Sequence, residues 1–239
     1  MKNERVDDLN LDGLKIIQNV NGYNFTSDSV LLANFVKAKN INCLEIGTGS
    51  GIISILVNYK ENPKKIIAFE LQEEQACLVR RNIELNNMEE KISIVADSIQ
   101  NWNKYIEAGS QDVIFSNPPY FKFDPKTCCD NEQRIVSRSD KYLSIDDFMK
   151  CTSKILKYGG KVYFVYSTNR MSECFCAMEK FGIVPKNIYF VHPNETKNSS
   201  VFLCEAIKGG KPHLNVMPPL FTNSLDGDYI QTIQKLYKK

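Results

Sequence analysis

The sequence predicts a doubly wound α/β domain on a mostly parallel seven-stranded sheet, with a short strand and helix ahead of it. Three observations predict this. Short runs rich in β-branched and aromatic residues recur along the chain, stretches of helical periodicity separate them, and the first run of the series empties into a glycine loop.

The elements are taken in chain order. Leu14 to Gln18 (LKIIQ) reads as a strand, and Asn21-Gly22 just after it as a turn. Thr26, Ser27 and Asp28 are N-cap candidates ahead of apolar Val30, Leu31, Ala33 and Phe35, so a helix begins there. Residues 1–40 are thus expected as an extension packed on a domain spanning 41–239, the whole forming a single domain. Strands come next at 42–47, 65–70, 91–96, 112–116, 161–166, 187–192 and 201–207. Helices fill gaps at about 50–59, 72–87, 144–157 and 170–181; in the second of these, Ala76, Val79 and Ile83 share a face. Residues 122–142 are the longest stretch without periodicity, which suits a functional loop over a site or an excursion from the fold.

Composition narrows the function classes. A net charge of +2 provides no global basic field of the kind a non-specific nucleic-acid binder carries. Local patches are still available, from Lys122, Lys126, Arg134, Arg138 and Lys141 in the aperiodic stretch and from lysines late in the chain. No apolar run approaches the ~20 residues of a membrane span, and MKNERVDDLN has no signal-peptide core, so a cytoplasmic protein is expected. The eight cysteines show no C-x-x-C and no Cys/His framework; they are expected to be free thiols, with no metal site.

The strand at 42–47 leads into EIGTGSG, with Gly47, Gly49 and Gly51 in G-x-G-x-G spacing. This is neither the dinucleotide spacing nor a P-loop, because no lysine closes it to neutralise a triphosphate. Tight glycines still let backbone approach a ligand closely, which suits a small zwitterionic ligand such as S-adenosylmethionine. Glu45 opens the loop and is grouped with the cofactor residues. Glu70 ends the next strand, some twenty residues on, where a carboxylate can accept both ribose hydroxyl hydrogens. Asp97 ends the third, as an acceptor suited to the amino group of an adenine ring. All three stand at the carboxyl ends of strands, where open α/β sheets bind ligands.

The strand at 112–116 runs into Asn117-Pro118-Pro119-Tyr120. Two prolines end the strand and hold a turn. There the side-chain carbonyl of Asn117 and the backbone carbonyl of Pro118 can take the two hydrogens of one amino group, while Tyr120 lies under a flat ring. An amino group conjugated into a ring is a poor nucleophile, and paired acceptors would draw it toward tetrahedral geometry. Transfer then needs orientation and electrostatic preorganisation more than a strong base.

This combination resembles the class I S-adenosylmethionine-dependent methyltransferases, which implies a Rossmann-like sheet, and N-P-P-Y resembles their amino-methylating signature. Over nearly its whole length the chain is similar to a bacterial family of tRNA adenine-N6 methyltransferases acting on adenosine 37 of tRNA(Val). The likeness rests on LKIIQNVNGYNFTSDSVLLANF, LEIGTGSGIISILV, NPPYF and MPPLFTNSLDGDYIQTIQKLY. It implies that Phe25, Thr26 and Asp28 help close the cofactor pocket, a helix cap being the alternative for the latter two. Tyr120, Phe121, Lys122 and Arg138 are expected at the substrate. Relatives carry an Arg-His-Glu-like run ahead of the next helix; Arg138 matches it, while Ser139 and Asp140 depart. The expected activity is methylation of adenine N6 in tRNA, with tRNA the only partner. Guanine-N2 or glutamine methylation, and an RNA-binding or assembly protein that keeps the fold without catalysis, are the alternatives.

Overall fold

The computed structural model describes residues 4–20, 24–120 and 140–223. Two strands, β1 (Glu4–Asp8) and β2 (Lys15–Asn19), precede helix α1 (Ser27–Phe35). Strands and helices then alternate through β3 (Asn42–Ile46), α2 (Ile52–Glu61), β4 (Lys65–Glu70), α3 (Glu73–Leu85), β5 (Ile92–Ala96), a 3-10 segment (Ile99–Lys104) and β6 (Gln111–Ser116). Beyond residue 140 come α4 (Ile145–Ile155), β7 (Leu156–Ser167), α5 (Met171–Lys180), β8 (Ile183–His192) and β9 (Val201–Lys208). Two-residue strands β10 (Asn215–Val216) and β11 (Leu220–Phe221) come last.

The main sheet has the order β10-β8-β9-β7-β6-β3-β4-β5, with β11 also paired to β8. Its seven long strands are the seven expected, and the two short ones extend the β8 edge. Pairing is parallel except around β9, which runs antiparallel to both β7 and β8. β7 starts five residues earlier than the apolar run at 161–166 suggests, because it takes in Gly159 and Gly160, which read as breakers.

Period-two alternation decides how the sheet is covered. Cys43, Val113, Phe115, Tyr163 and Val165 face one side, where they pack with Ile16 of β2, with Leu9, Leu11 and Leu14 of the turn before it, and with residues of α1, α2 and α3. Leu44, Ile114, Val162, Phe164 and Tyr166 face the other, against α4, α5 and the 3-10 segment. Burying each of these large side chains contributes roughly 1.5–3 kcal/mol, which is what holds both layers on. Among the described residues no helix is long and apolar enough to cross a membrane.

The path of the chain positions the site. From β3 it winds outward to β4 and β5, then returns to lay β6 against the other edge of β3. Strand order therefore reverses between β3 and β6, and ligands of open α/β sheets bind at such a switch point. The last residues of the two strands, Ile46 and Ser116, are in register, and Ser116 Oγ donates to the Ile46 carbonyl at 2.7 Å. The glycine loop and the Asn-Pro-Pro-Tyr turn therefore leave the sheet side by side.

β1 has no counterpart among the expected strands. Its one apolar residue, Val6, is 59% exposed, so the strand exists through pairing with β2 and leaves no burial pattern to read. The other edge of β2 is bonded by side chains of α3. Asn82 accepts from Ile17 N at 2.6 Å and donates to the Ile17 carbonyl at 3.0 Å, and Asn86, one turn on, bonds Lys15 N and O at 3.0 and 2.8 Å.

Candidate active site

Glycine builds the loop after β3. Gly47, Gly49 and Gly51 have φ of 69°, 59° and 84°, a region that penalises any residue with a Cβ. At Gly51 space decides as well: an added Cβ would lie 2.9 Å from Val79 Cγ1 on α3. At Gly47 an added Cβ would meet nothing within 4 Å. The loop is tied to the neighbouring strand by Gly47 N and Thr48 N, which both donate to the Phe69 carbonyl at 3.0 Å.

Two carboxylates support this loop. Glu70, at the end of β4, accepts from Gly49 N through Oε2 at 2.9 Å and from Gln72 N through Oε1 at 3.1 Å. Burial pushes its pKa up, and those backbone N–H groups pull the other way. Glu45 is fully buried in β3; its Oε2 accepts from Thr48 Oγ1 at 2.7 Å and from Ser54 Oγ. Its Oε1 has no partner among the described residues, and burial pushes the carboxyl up to about 7.

Gly47, Gly49 and Glu70 line one cleft with Phe69, Leu71, Ile99, Asn117, Pro119, Tyr142 and Leu143. Asp97, the acceptor expected for an adenine amine, also lines it and is bonded within the chain. Its Oδ1 accepts from Asn101 Nδ2 and Ser98 N, both at 2.7 Å, and its Oδ2 from Tyr105 OH at 2.9 Å, with Lys104 Nζ 3.5 Å away. Asn101 and Tyr105 hold the carboxyl down at about 2. Asp97 anchors the turn after β5, and a ligand amine would have to share oxygens already in use.

The Asn-Pro-Pro-Tyr turn is braced from a distance. Asn117 Nδ2 donates to Ser29 Oγ at 3.1 Å, and Tyr120 OH donates to Asp28 Oδ2 at 3.1 Å, so the first turn of α1 holds both ends of the motif. With the amide nitrogen committed to Ser29, Oδ1 is the Asn117 atom left to accept from a ligand. Pro118 is buried between them. Asp28, expected to help close the cofactor pocket, accepts this bond from Tyr120, and burial pushes its pKa up. Thr26 stands at the N-cap of α1, where its carbonyl accepts from Ser29 N at 3.1 Å and its hydroxyl makes no cap bond. Neither Thr26 nor Asp28 lines the cleft. Phe121, Lys122 and Arg138 lie outside the described residues.

Sequence reasoning missed Ser29, Gln75, which donates to the Gly49 carbonyl at 2.8 Å, and Arg170, which donates to the Tyr120 carbonyl at 3.1 Å. No periodicity or motif marks a side chain whose partner is 26 to 88 residues away.

The residues present fit S-adenosylmethionine. Glu70 offers acceptors for ribose hydroxyls, the Gly47 backbone is open to close approach, and Phe69, Leu71 and Ile99 suit a purine face. Fold and cleft together define a class I S-adenosylmethionine-dependent methyltransferase. The chain belongs to the methyltransferase small domain family, whose model matches residues 25–184.

Among individual proteins, it is 27% identical over 187 residues to a tRNA1(Val) (adenine(37)-N6)-methyltransferase of Photobacterium profundum, covering 77% of each chain. It is 28% identical over 162 residues to the Cytophaga hutchinsonii protein of the same name, covering 68% of this chain and 66% of that one. A predicted O-methyltransferase from Agrobacterium tumefaciens superposes with a TM-score of 0.69 at 18% identity, over 88% of this chain and 95% of that one. An M. jannaschii tRNA m1G37 methyltransferase gives 0.60 at 15% identity, over 87% and 55%. At these identities the structural likeness speaks for the fold.

Proposed function

We propose that the protein methylates the exocyclic N6 amine of adenine in tRNA, the nucleoside being position 37 of tRNA(Val). The observation that carries the chemistry is the hydrogen bond from Asn117 Nδ2 to Ser29 Oγ, because it leaves the carbonyl end of the amide to be offered at the cleft. A substrate amine has hydrogens to donate, and Asn117 Oδ1 accepts one of them. The activity for which those relatives are named supports the choice of adenine and of tRNA.

The residues have separate tasks. Glu70, Gly47 and Gly49 would hold the cofactor, and Glu45 stiffens the loop from beneath through Thr48 and Ser54. Bound there, S-adenosylmethionine supplies an electrophilic methyl group on a sulfonium. Asn117 and the Pro118 carbonyl orient the amine, and Tyr120, fixed at its hydroxyl by Asp28, presents its ring to the base. Fixed dipoles of this kind cost no reorganisation when the reaction occurs.

The test is incubation with bulk tRNA from a strain lacking the gene and a labelled methyl donor, followed by nucleoside analysis. N6-methyladenosine is expected. Label in N2-methylguanosine redirects the assignment, as does label found only in glutamine when cell protein is offered in a parallel reaction and its peptides are analysed; RNA binding with no label transferred overturns it in favour of a non-catalytic RNA-binding protein.

A further inference from the structure

Arg170 stands just beyond β7, the strand beside β6, and so reaches the motif that ends β6. Its side chain is 11% exposed. Glu173, one turn into α5, grips it side-on, with Nε to Oε2 at 2.9 Å and Nη2 to Oε1 at 2.5 Å. That fork alone balances the charge, and it aims the rest of the guanidinium. Nη1 donates to the Tyr120 carbonyl at 3.1 Å, and Nη2 lies 2.9 Å from Asp140 Oδ2. The guanidinium also sits over the Tyr166 ring, 5.5 Å from its centroid, and that ring meets Tyr120 edge-on at 6.1 Å.

We infer that Arg170 is a positioning residue for methyl transfer: it clasps residue 120 to residue 140 and thereby fixes the Asn117–Tyr120 turn at the cleft. This rests on the proposed function, in which that turn presents the amine. Tyr120 is then held at both ends, by Asp28 at its hydroxyl and Arg170 at its carbonyl. Since Arg170 does not line the cleft, the clasp governs turnover and leaves the hold on the cofactor alone. A lysine cannot replace it, because one ammonium lacks the planar fork that serves Glu173, Asp140 and Tyr120 together.

The experiment compares the full-length wild type with R170M, R170K, R170A and E173Q. Hydrogen exchange across residues 111–120 is expected to quicken about tenfold in R170M and R170K, with the peptides of β3 and β4 unchanged. With tRNA as substrate, kcat should fall by about 100-fold, the cost of a displacement near 1 Å, while donor Kd measured by calorimetry stays within about threefold. Guanidinium ion added to R170A should restore part of the turnover. Should the Arg170 variants fail to fold, E173Q, which takes away the charged fork that aims the guanidinium, must still quicken exchange at 111–120. Unchanged exchange there in a folded variant overturns the inference. Quickened exchange in a variant whose wild type methylates no RNA leaves the clasp standing and removes the functional reading.

Discussion

Asn117 and Ser29 are 88 residues apart in sequence, yet the amide of one donates to the hydroxyl of the other at 3.1 Å, with Ser29 only 2% exposed. The pair links the turn after β6 to a helix that precedes the sheet, and in it the Asn117 amide turns its nitrogen toward Ser29. Asn117→Ala should cut turnover by at least about 100-fold, as loss of a preorganised polar group at a reacting centre does. Ser29→Ala removes only the tether and should cost about tenfold. In both, donor affinity by calorimetry should hold within about threefold; turnover in Asn117→Ala equal to wild type would sink the assigned role.

Glu70 makes the complementary case. Its carboxylate anchors Gly49 and Gln72 while lining the cleft, so its loss should appear in binding first. Glu70→Ala is expected to weaken S-adenosylmethionine binding by about 10- to 100-fold, the worth of hydrogen bonds to a charged acceptor. An isotherm indistinguishable from wild type would contradict this.

Legibility in the sequence depended on range. β4 lies where the apolar run KIIAFE puts it, and the glycine loop and Asn-Pro-Pro-Tyr turn fall at strand ends as read, because strand pattern and turn chemistry are local. β1 escapes because pairing, not burial, makes it a strand. Asp97 stands on the cleft as expected but with other partners, because Asn101 and Tyr105 come round on the 3-10 segment to claim its oxygens. Ser29 and Arg170 carry no local mark in the sequence; only the order of the elements brings them to the motif.

Asn82 should prove the stability hinge of the amino-terminal hairpin. It is fully buried, and besides Ile17 N and O it bonds the Ser50 carbonyl at 3.0 Å, so one side chain joins β2, α3 and the glycine loop. Asn82→Ala strands these backbone groups and should cost roughly 2–4 kcal/mol, lowering Tm by roughly 5–10 °C. Asn86→Ala, whose bonds to Lys15 are exposed, should cost about 1 kcal/mol or less. Equal losses in the two variants on urea denaturation would show that burial does not set the difference.

Glu45 predicts a pH dependence whose sign can be worked out. Burial raises its carboxyl from about 4.5 to about 7, so across that interval the unfolded chain has released its proton while the folded chain retains it. The folded state then binds more protons, and stability from this group is complete below about 4.5 and is lost as pH rises through about 7. Glu45→Gln copies the protonated side chain, an acceptor oxygen beside a donor, and cannot ionise. Urea midpoints of the two proteins, measured without added ligand, should therefore lie close at about pH 4.5 and diverge in favour of Glu45→Gln up to about pH 7, then run parallel. Other titrating groups are common to both chains and cancel in the difference, apart from Glu70, whose charge couples to that of Glu45. Parallel profiles from acid to neutral pH would mean that Glu45 ionises in the fold as freely as in the unfolded chain, with water or a rearranged Thr48–Ser54 pair serving Oε1.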